Sequence, residues 1–298
     1  MNIDVLCVGH AAYDLVFSVD QHPSEDEKTC ATGLVGCGGG PAANAAVTAA
    51  KLGYTAAFSG YLGQDIYGEN HYRELLEYGV QASLIIRGLS PTPVSVVLVK
   101  PDGKRALINY KGGTKPLSSE AIDFSSVTPK AILVDGHEPN LSLSLLKSAK
   151  VKGIPTVLDA GSLHEGTIAL MGHVDYLVCS EKFAGQFAGN VEAALTRLAG
   201  VSPAVVITLG DKGLIWQRGQ ERGILPAFPV DAVDTTGAGD AFHGAFAAAV
   251  SSRMTWLDTM RYASAAGALC CTRIGARSGL PTKEEHRILF EWRKELHN

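Results

Sequence analysis

What the chain lacks narrows its role first. No apolar run is long enough to span a bilayer, and "MNIDVLCVGH" shows no charged segment leading into a long apolar stretch, so neither a membrane span nor an export signal is expected. Basic residues are not in excess. The 26 Lys and Arg stand against 30 Asp and Glu, a net charge of -4, which leaves no footprint for a nucleic-acid backbone or an anionic membrane surface. The six cysteines, Cys7, Cys30, Cys37, Cys179, Cys270 and Cys271, form no CxxC pair, and the nine histidines form no HExxH or Cys/His zinc spacing. A reduced, cytoplasmic protein without a tightly held transition metal is expected. Repeats, low-complexity tracts and linkers are missing too. With 298 residues, 46% of them hydrophobic, the chain reads as one large domain over 1–298 with an ample core.

What is present is an alternation of short apolar runs and helical stretches. "IDVLCVG", "TAAFSGYLG", "AILVDG", "IPTVLDAG", "DYLVCS" and "AVVITLG" read as buried strands, with "AANAAVTAAKLG", "YGENHYRELLEYGV", "LSLSLLKSAKVKG" and "EAALTRLAG" as helices among them. This order predicts an α/β fold with a mostly parallel sheet and helices on both faces. Pro41 suits a first helical turn and Gly53 a stop, which bounds the first helix. "PVSVVLVKPDGKRALINY", with Asp102-Gly103 at its turn, reads as a hairpin, "GLIWQRGQERGILPAF" as a second one, and the last third as helical. The β segments near 12–37 and 92–110 break the rhythm and are expected to pair as a small projecting sheet, a lid over a pocket.

Two glycine clusters fall at junctions where loops run into helices, the place where open parallel sheets bind ligands. In "DTTGAGDAFHGAFAAAV", the minimal side chains of Gly237, Ala238 and Gly239 let backbone N–H groups converge on one anion, with a helix dipole behind them. Asp240 in the first turn is expected to be held ionised by that dipole and to accept a proton, although a helix cap over a tight turn fits the spacing equally well. "GGGPAAN" fails as a dinucleotide fingerprint, because Pro41 holds the sixth position counted from Gly36 and the strand "TAAFSG" ends without an acidic residue. What it leaves is a bare Gly38-Gly39-Gly40 backbone with Asn44 leaning back toward a ligand, or simply a tightly buried helix.

With these clusters placed, the sequence resembles the ribokinase-like (PfkB-type) carbohydrate kinase family over nearly its whole length. "GCGGGPAANAAVTAAKLG" and "DTTGAGDAFHGAFAAAV" are similar to the family's two signatures, in the family's order, and "VVITLGDKG" resembles its nucleotide-side strand. The resemblance implies a three-layer α/β/α sandwich with a small β lid, often dimeric through that lid. It also implies transfer of the γ-phosphate of ATP, with Mg2+, to a sugar hydroxyl. Asp240 then resembles the catalytic base, and Gly237, Ala238 and Gly239 the anion hole. Thr208, Gly210 and Gly213 resemble nucleotide contacts, with Ser180 nearby, while Asp14, Gly39, Gly40 and Asn44 resemble the sugar-binding set. Asp234 and Thr236 fall where many members hold a monovalent cation, K+ among them, and the sequence leaves that binding open.

Two departures bear on the chemistry. The family's Asn-x-x-Glu motif is replaced by Ser180 and Phe183 in "CSEKF", which leaves only Glu181 nearby, and Ala12 stands where ribokinases have an asparagine, an argument against ribose. Within the family the chain most resembles sulfofructose kinases, and that likeness implies a sulfonate grip at Lys28, Asn109 and position 137. His137 replaces the arginine fork expected there, so another ketose or a differently charged sugar fits as well as sulfofructose. A nucleoside kinase using Tyr13, Phe17 or Tyr110 as a base slot, and a sugar or nucleotide sensor without turnover, are the rival readings. Arg105 is expected to be a solvated residue of the small sheet, and His243 a satisfied core histidine.

Overall fold

Side chains alternate between two faces along a strand, so a sheet covered on both sides feeds two separate cores. The computed structural model, which describes residues 1–295, has this arrangement. In chain order the strands are β1 (Asn2–Val8), β2 (Ala12–Ser18), β3 (Gly33–Gly39), β4 (Ala56–Gly63), β5 (Gln81–Gly88), β6 (Val94–Val99), β7 (Arg105–Tyr110), β8 (Thr128–Val134), β9 (Thr156–Ala160), β10 (Tyr176–Ser180), β11 (Ala204–Thr208), β12 (Leu214–Arg218) and β13 (Glu221–Leu225). The helices are α1 (Pro41–Lys51), α2 (Ile66–Glu77), α3 (Pro139–Lys152), α4 (Glu165–Leu170), α5 (Glu181–Ala188), α6 (Val191–Ala199), α7 (Ala238–Ser251), α8 (Trp256–Cys270), α9 (Ala276–Gly279) and α10 (Lys283–Glu295).

Among the described residues the main sheet has the order β13-β12-β11-β10-β9-β8-β1-β4-β5. Its strands from β11 to β5 pair in parallel, and β12 and β13 close one edge as an antiparallel hairpin. Val5 and Cys7 of β1 join the core shared with α1, α7 and α8, whereas Leu6 and Val8 join the core shared with α3, α5 and α6. Three layers result. No helix among the described residues is long and apolar enough to cross a membrane.

The remaining strands form a second sheet in the order β3-β2-β6-β7, with β2 and β6 parallel and the outer pairs antiparallel. Its own small core is Val16, Val97 and Val99. The hairpin turn falls where Asp102-Gly103 predicts it, with Gly103 at φ 75.

One helix crossing positions the chemistry. Helices α1 and α7 are alanine-rich, and a Cβ added at Gly244 would lie 2.4 Å from the carbonyl oxygen of Ala45, so the two backbones approach more closely than larger residues would permit. That approach brings the first turn of α7 to the first turn of α1.

Candidate active site

At the head of α7, Gly237 is the N-cap in the left-handed region, φ 78, a conformation that costs glycine little. The first amides of a helix have no partner within it. Here the amide of Ala238 donates to the carbonyl of Thr235 at 3.3 Å, a long bond that an arriving anion would outcompete. Asp240 follows in the first turn, and its Oδ2 accepts a hydrogen bond from Asn44 Nδ2 of α1 at 2.6 Å. Burial pushes the Asp240 carboxyl up to about 7 and Asp159 adds to that, while the bond from Asn44 and the nearby His243 pull the other way. This corrects the expectation of a simply ionised carboxylate: the helix dipole is opposed by lost hydration, and Asp240 titrates near neutrality. Asn44 is 3% exposed and its Oδ1 has no partner, which leaves one buried acceptor beside the acid.

The small sheet faces this point through β2. Cross-strand register aligns Asp14 with Cys37 on one side and with Ser95 and then Asn109 on the other, so all four share one face. Burial raises the Asp14 carboxyl above its ordinary value, opposed by a hydrogen bond from Ser95 and by the charge of Arg277. Gly39 is needed for space, since a Cβ there would sit 2.2 Å from Asp14 Oδ2. Gly40 precedes α1 as its N-cap. Sequence reasoning missed Arg277 of α9, which is 3% exposed, donates from Nε to the carbonyl of Gly38 at 2.8 Å, and bonds His71 through Nη2. The amide of Gly38 donates to Glu74 Oε2 at 2.5 Å, so α2 and α9 together clamp the glycine strand.

Three histidines stand in a row at the carboxyl ends of adjacent strands: His10 after β1, His137 after β8 and His164 after β9. The rings of His137 and His164 stack at 4.7 Å, and those of His137 and His10 lie 4.8 Å apart. Buried Asp135 organises them. Its two oxygens accept the N–H groups of His10 at 2.8 Å, Ala42 at 3.1 Å and His137 at 2.9 Å. Burial, then His137 and Lys111, hold the His10 imidazole down at about 4, and the same causes lower His164. Only His137 of this row was singled out from sequence, because the others become neighbours through sheet order. Asn109 is exposed on β7, and Lys28 is exposed in the segment joining β2 to β3.

On the other side of α7, Ser180 caps α5 by accepting the N–H of Phe183 at 3.0 Å and donates to the carbonyl of Gly161 at 2.8 Å. Its hydroxyl is therefore already used within the fold. Thr208 ends β11 beside it in register, Gly210 has open space around its α-carbon, and Gly213 is packed against the carbonyl of Leu225, which explains that glycine without a ligand. Asp234, 2% exposed, accepts from the amide and hydroxyl of Thr236 at 2.9 and 2.6 Å and from the amide of Gly275 at 2.8 Å. Arg105 is exposed, as expected, and it also donates from Nη1 to the Thr236 hydroxyl, joining the small-sheet hairpin to this loop. Among the described residues no set of three His, Cys, Asp or Glu side chains converges as a metal site.

A parallel sheet whose strand ends meet an open-amide helix start, an acid and an overhanging small sheet is the layout of a phosphotransferase acting on alcohols. The chain belongs to the pfkB family of carbohydrate kinases, whose family model matches residues 2–283. It is 27% identical to the ribokinase of Bacillus subtilis over 287 residues, covering 95% of this chain and 97% of that one. It is 29% identical to the deoxyribokinase of Salmonella typhi over 299 residues, covering 95% and 97%. Among solved structures, the Arabidopsis thaliana ribokinase complexed with ribose and ATP superposes with a TM-score of 0.83 at 26% identity, covering 98% of this chain and 99% of that one. The protein is thus a kinase of the ribokinase-like sugar and nucleoside group.

Proposed function

We propose that the protein transfers the γ-phosphate of ATP to a hydroxyl, a primary one, of a ketose or furanose-like sugar. The observation that carries this reading is the contact between buried Asn44 and Asp240 at the open helix start, with Asp14 facing it from the small sheet. Asp240 takes the hydroxyl proton, the freed oxygen forms a bond to the γ-phosphorus, and the bond from that phosphorus to the β-phosphate oxygen breaks, so that ADP leaves. The amides of 237–239 accept the charge that develops. The unpartnered Asn44 Oδ1 and the Asp14 carboxylate suit sugar hydroxyls as donors.

The described residues offer no three-carboxylate cage, so Mg2+ would travel with the nucleotide, supplying charge neutralisation at its phosphates, with Glu181 the carboxylate beside Ser180. A monovalent cation such as K+ would use the Asp234 carboxylate and Thr236 hydroxyl, oxygens of the right type that are now hydrogen-bonded to one another. The small sheet would act as the lid, and its exposed Leu34, Ile108 and Tyr110 would join two copies as a homodimer. A reduced, cytoplasmic setting suits free cysteines and an ATP-dependent reaction.

For the substrate, Lys111 beside the row of His10, His137 and His164 offers a positive group, while burial and the neighbouring His137 and Lys111 favour the neutral form of His164. The carboxylate of Asp135 beside them is taken by three backbone amides. This favours a sugar with an anionic group at its far end, of which sulfofructose is one. The nucleoside rival is weaker, because strand alternation puts Tyr13, Phe17 and Tyr110 on the face of the small sheet opposite Asp14, where the Tyr13 ring lies 5.3 Å from that of Tyr67 of α2. An ADP-release assay over ribose, deoxyribose, fructose, sulfofructose and adenosine tests the reading. Stimulation by a sugar supports it. ATP consumption that no sugar stimulates would favour a sensor without turnover, and adenosine as the best acceptor would overturn the sugar assignment.

A further inference from the structure

His243 lies one turn after Asp240 on α7 and is 2% exposed. Both of its ring nitrogens meet acceptors. Nδ1 is 2.6 Å from the carbonyl oxygen of Gly239 and 3.2 Å from Asp159 Oδ2, and Nε2 is 3.1 Å from the carbonyl oxygen of Val178. A neutral imidazole carries a single N–H, so either tautomer would set a ring lone pair against an oxygen. Only the imidazolium donates on both sides. Asp159, 4% exposed at the end of β9, supplies the counter-charge: its Oδ1 accepts the amide of Gly161 at 3.1 Å, and its Oδ2 has no partner other than this ring.

Burial opposes charge on each member, raising the Asp159 carboxyl and lowering the His243 imidazole, so it is the contact between them that must hold the charges. Together they cancel, which is the usual condition for keeping ions in a core. The other titratable groups that bear on the pair are Asp240 on the same helix, Asp135 at the end of β8 and Cys7 on β1. A histidine that merely filled space in an alanine-rich helix would need neither a buried carboxylate nor two carbonyl acceptors.

We propose that His243 is a positioning residue for the phosphoryl transfer: as a buried imidazolium paired with Asp159, it grips the carbonyl of Gly239 and so fixes the anion turn at 237–239 against β9 and β10. The role rests on reading Asp240 and that turn as the transfer site. The ring also places the nearest positive charge beside Asp240 and favours its carboxylate form.

The test combines NMR of histidine-labelled full-length protein with kinetics. Between about pH 6 and about pH 9, both ring nitrogens of His243 are expected to stay protonated in the unaltered chain and to lose one proton within that window in Asp159→Asn. A neutral tautomer in the unaltered chain at neutral pH would overturn the proposal without any variant having to fold. The double variant His243→Phe with Asp159→Leu removes both charges and refills the space. It is expected to lose about tenfold or more in kcat with KM for ATP within about twofold, and a kcat equal to that of the unaltered enzyme would overturn the positioning role. Full turnover in Asp240→Asn would instead remove the transfer site itself, and with it this role, a failure that the NMR arm distinguishes because it reports the ion pair alone.

Discussion

Asn44 and Asp240 are 196 positions apart in sequence, yet the amide of one donates to the carboxylate of the other at 2.6 Å. The bond favours the ionised form of Asp240, so removing it raises a carboxyl that already sits at about 7. Asn44→Ala should therefore move the acid limb of the kcat/KM profile to higher pH. At neutral pH it should lose about tenfold or more, consistent with a charge-assisted hydrogen bond worth about 1.5–3 kcal/mol. An acid limb that stays in place would show that the contact does not govern the acid.

Removal of the carboxylate itself should cost more. Asp240→Asn keeps the shape and the Asn44 contact, and its turnover should fall by about 10²–10⁴, the range general-base catalysis contributes. Titration calorimetry with ATP should show binding little changed, since the amides of 237–239 remain.

Arg277 holds the glycine strand from beneath. Arg277→Met deletes a buried guanidinium and leaves the Gly38 carbonyl without its donor, so unfolding free energy should drop by about 3 kcal/mol. A urea midpoint reads this directly. The same variant removes a charge that lowers the Asp14 carboxyl, so KM for the sugar should rise as well.

At the outer edge, Arg105→Ala should leave the fold intact and loosen the small sheet over the site. The exposed bond to Thr236 is worth about 1 kcal/mol, which corresponds to roughly a fivefold rise in KM for the sugar in steady-state assays.

The histidine row makes stability depend on acid. His10 is held down at about 4 in the fold, against an ordinary value near 6.5, so the unfolded chain binds the extra proton first as pH falls. The stability it contributes is present above the unfolded value and is lost as pH drops from 6.5 toward about 4, by roughly 2–3 kcal/mol once the partial exposure of the ring is allowed for. Denaturant midpoints over that window should flatten in His10→Phe.

The parallel strands were legible because burial on both faces demands continuous apolar runs such as "DYLVCS" and "AVVITLG". Helices α4 and α5, six and eight residues long, were not, since neither is long enough to show a full helical period. Strand β3, "GLVGCGG", extends the β segment expected near 12–37 through its glycines, which pack closely against Asp14 and Tyr13. At the site, the acid and its glycine turn could be read from local pattern. The protonation of Asp240 could not, because desolvation by distant segments decides it. The row of His10, His137 and His164 and the clamp of Arg277 on Gly38 likewise depend on which strand ends and helices become neighbours, an order that no window of sequence contains.

On the proposed reading, the close crossing of α1 and α7 at Gly244 would tie the acceptor half and the donor half of the reaction to a single rigid strut. Edits to β2, β6 or β7 can therefore retune which acceptor is admitted while the distance over which the phosphoryl group travels stays as it was. A larger residue at position 244 would crowd Ala45 and Thr48 and push the two helices apart, so on that reading Gly244→Val should lower kcat for every acceptor together in steady-state assays.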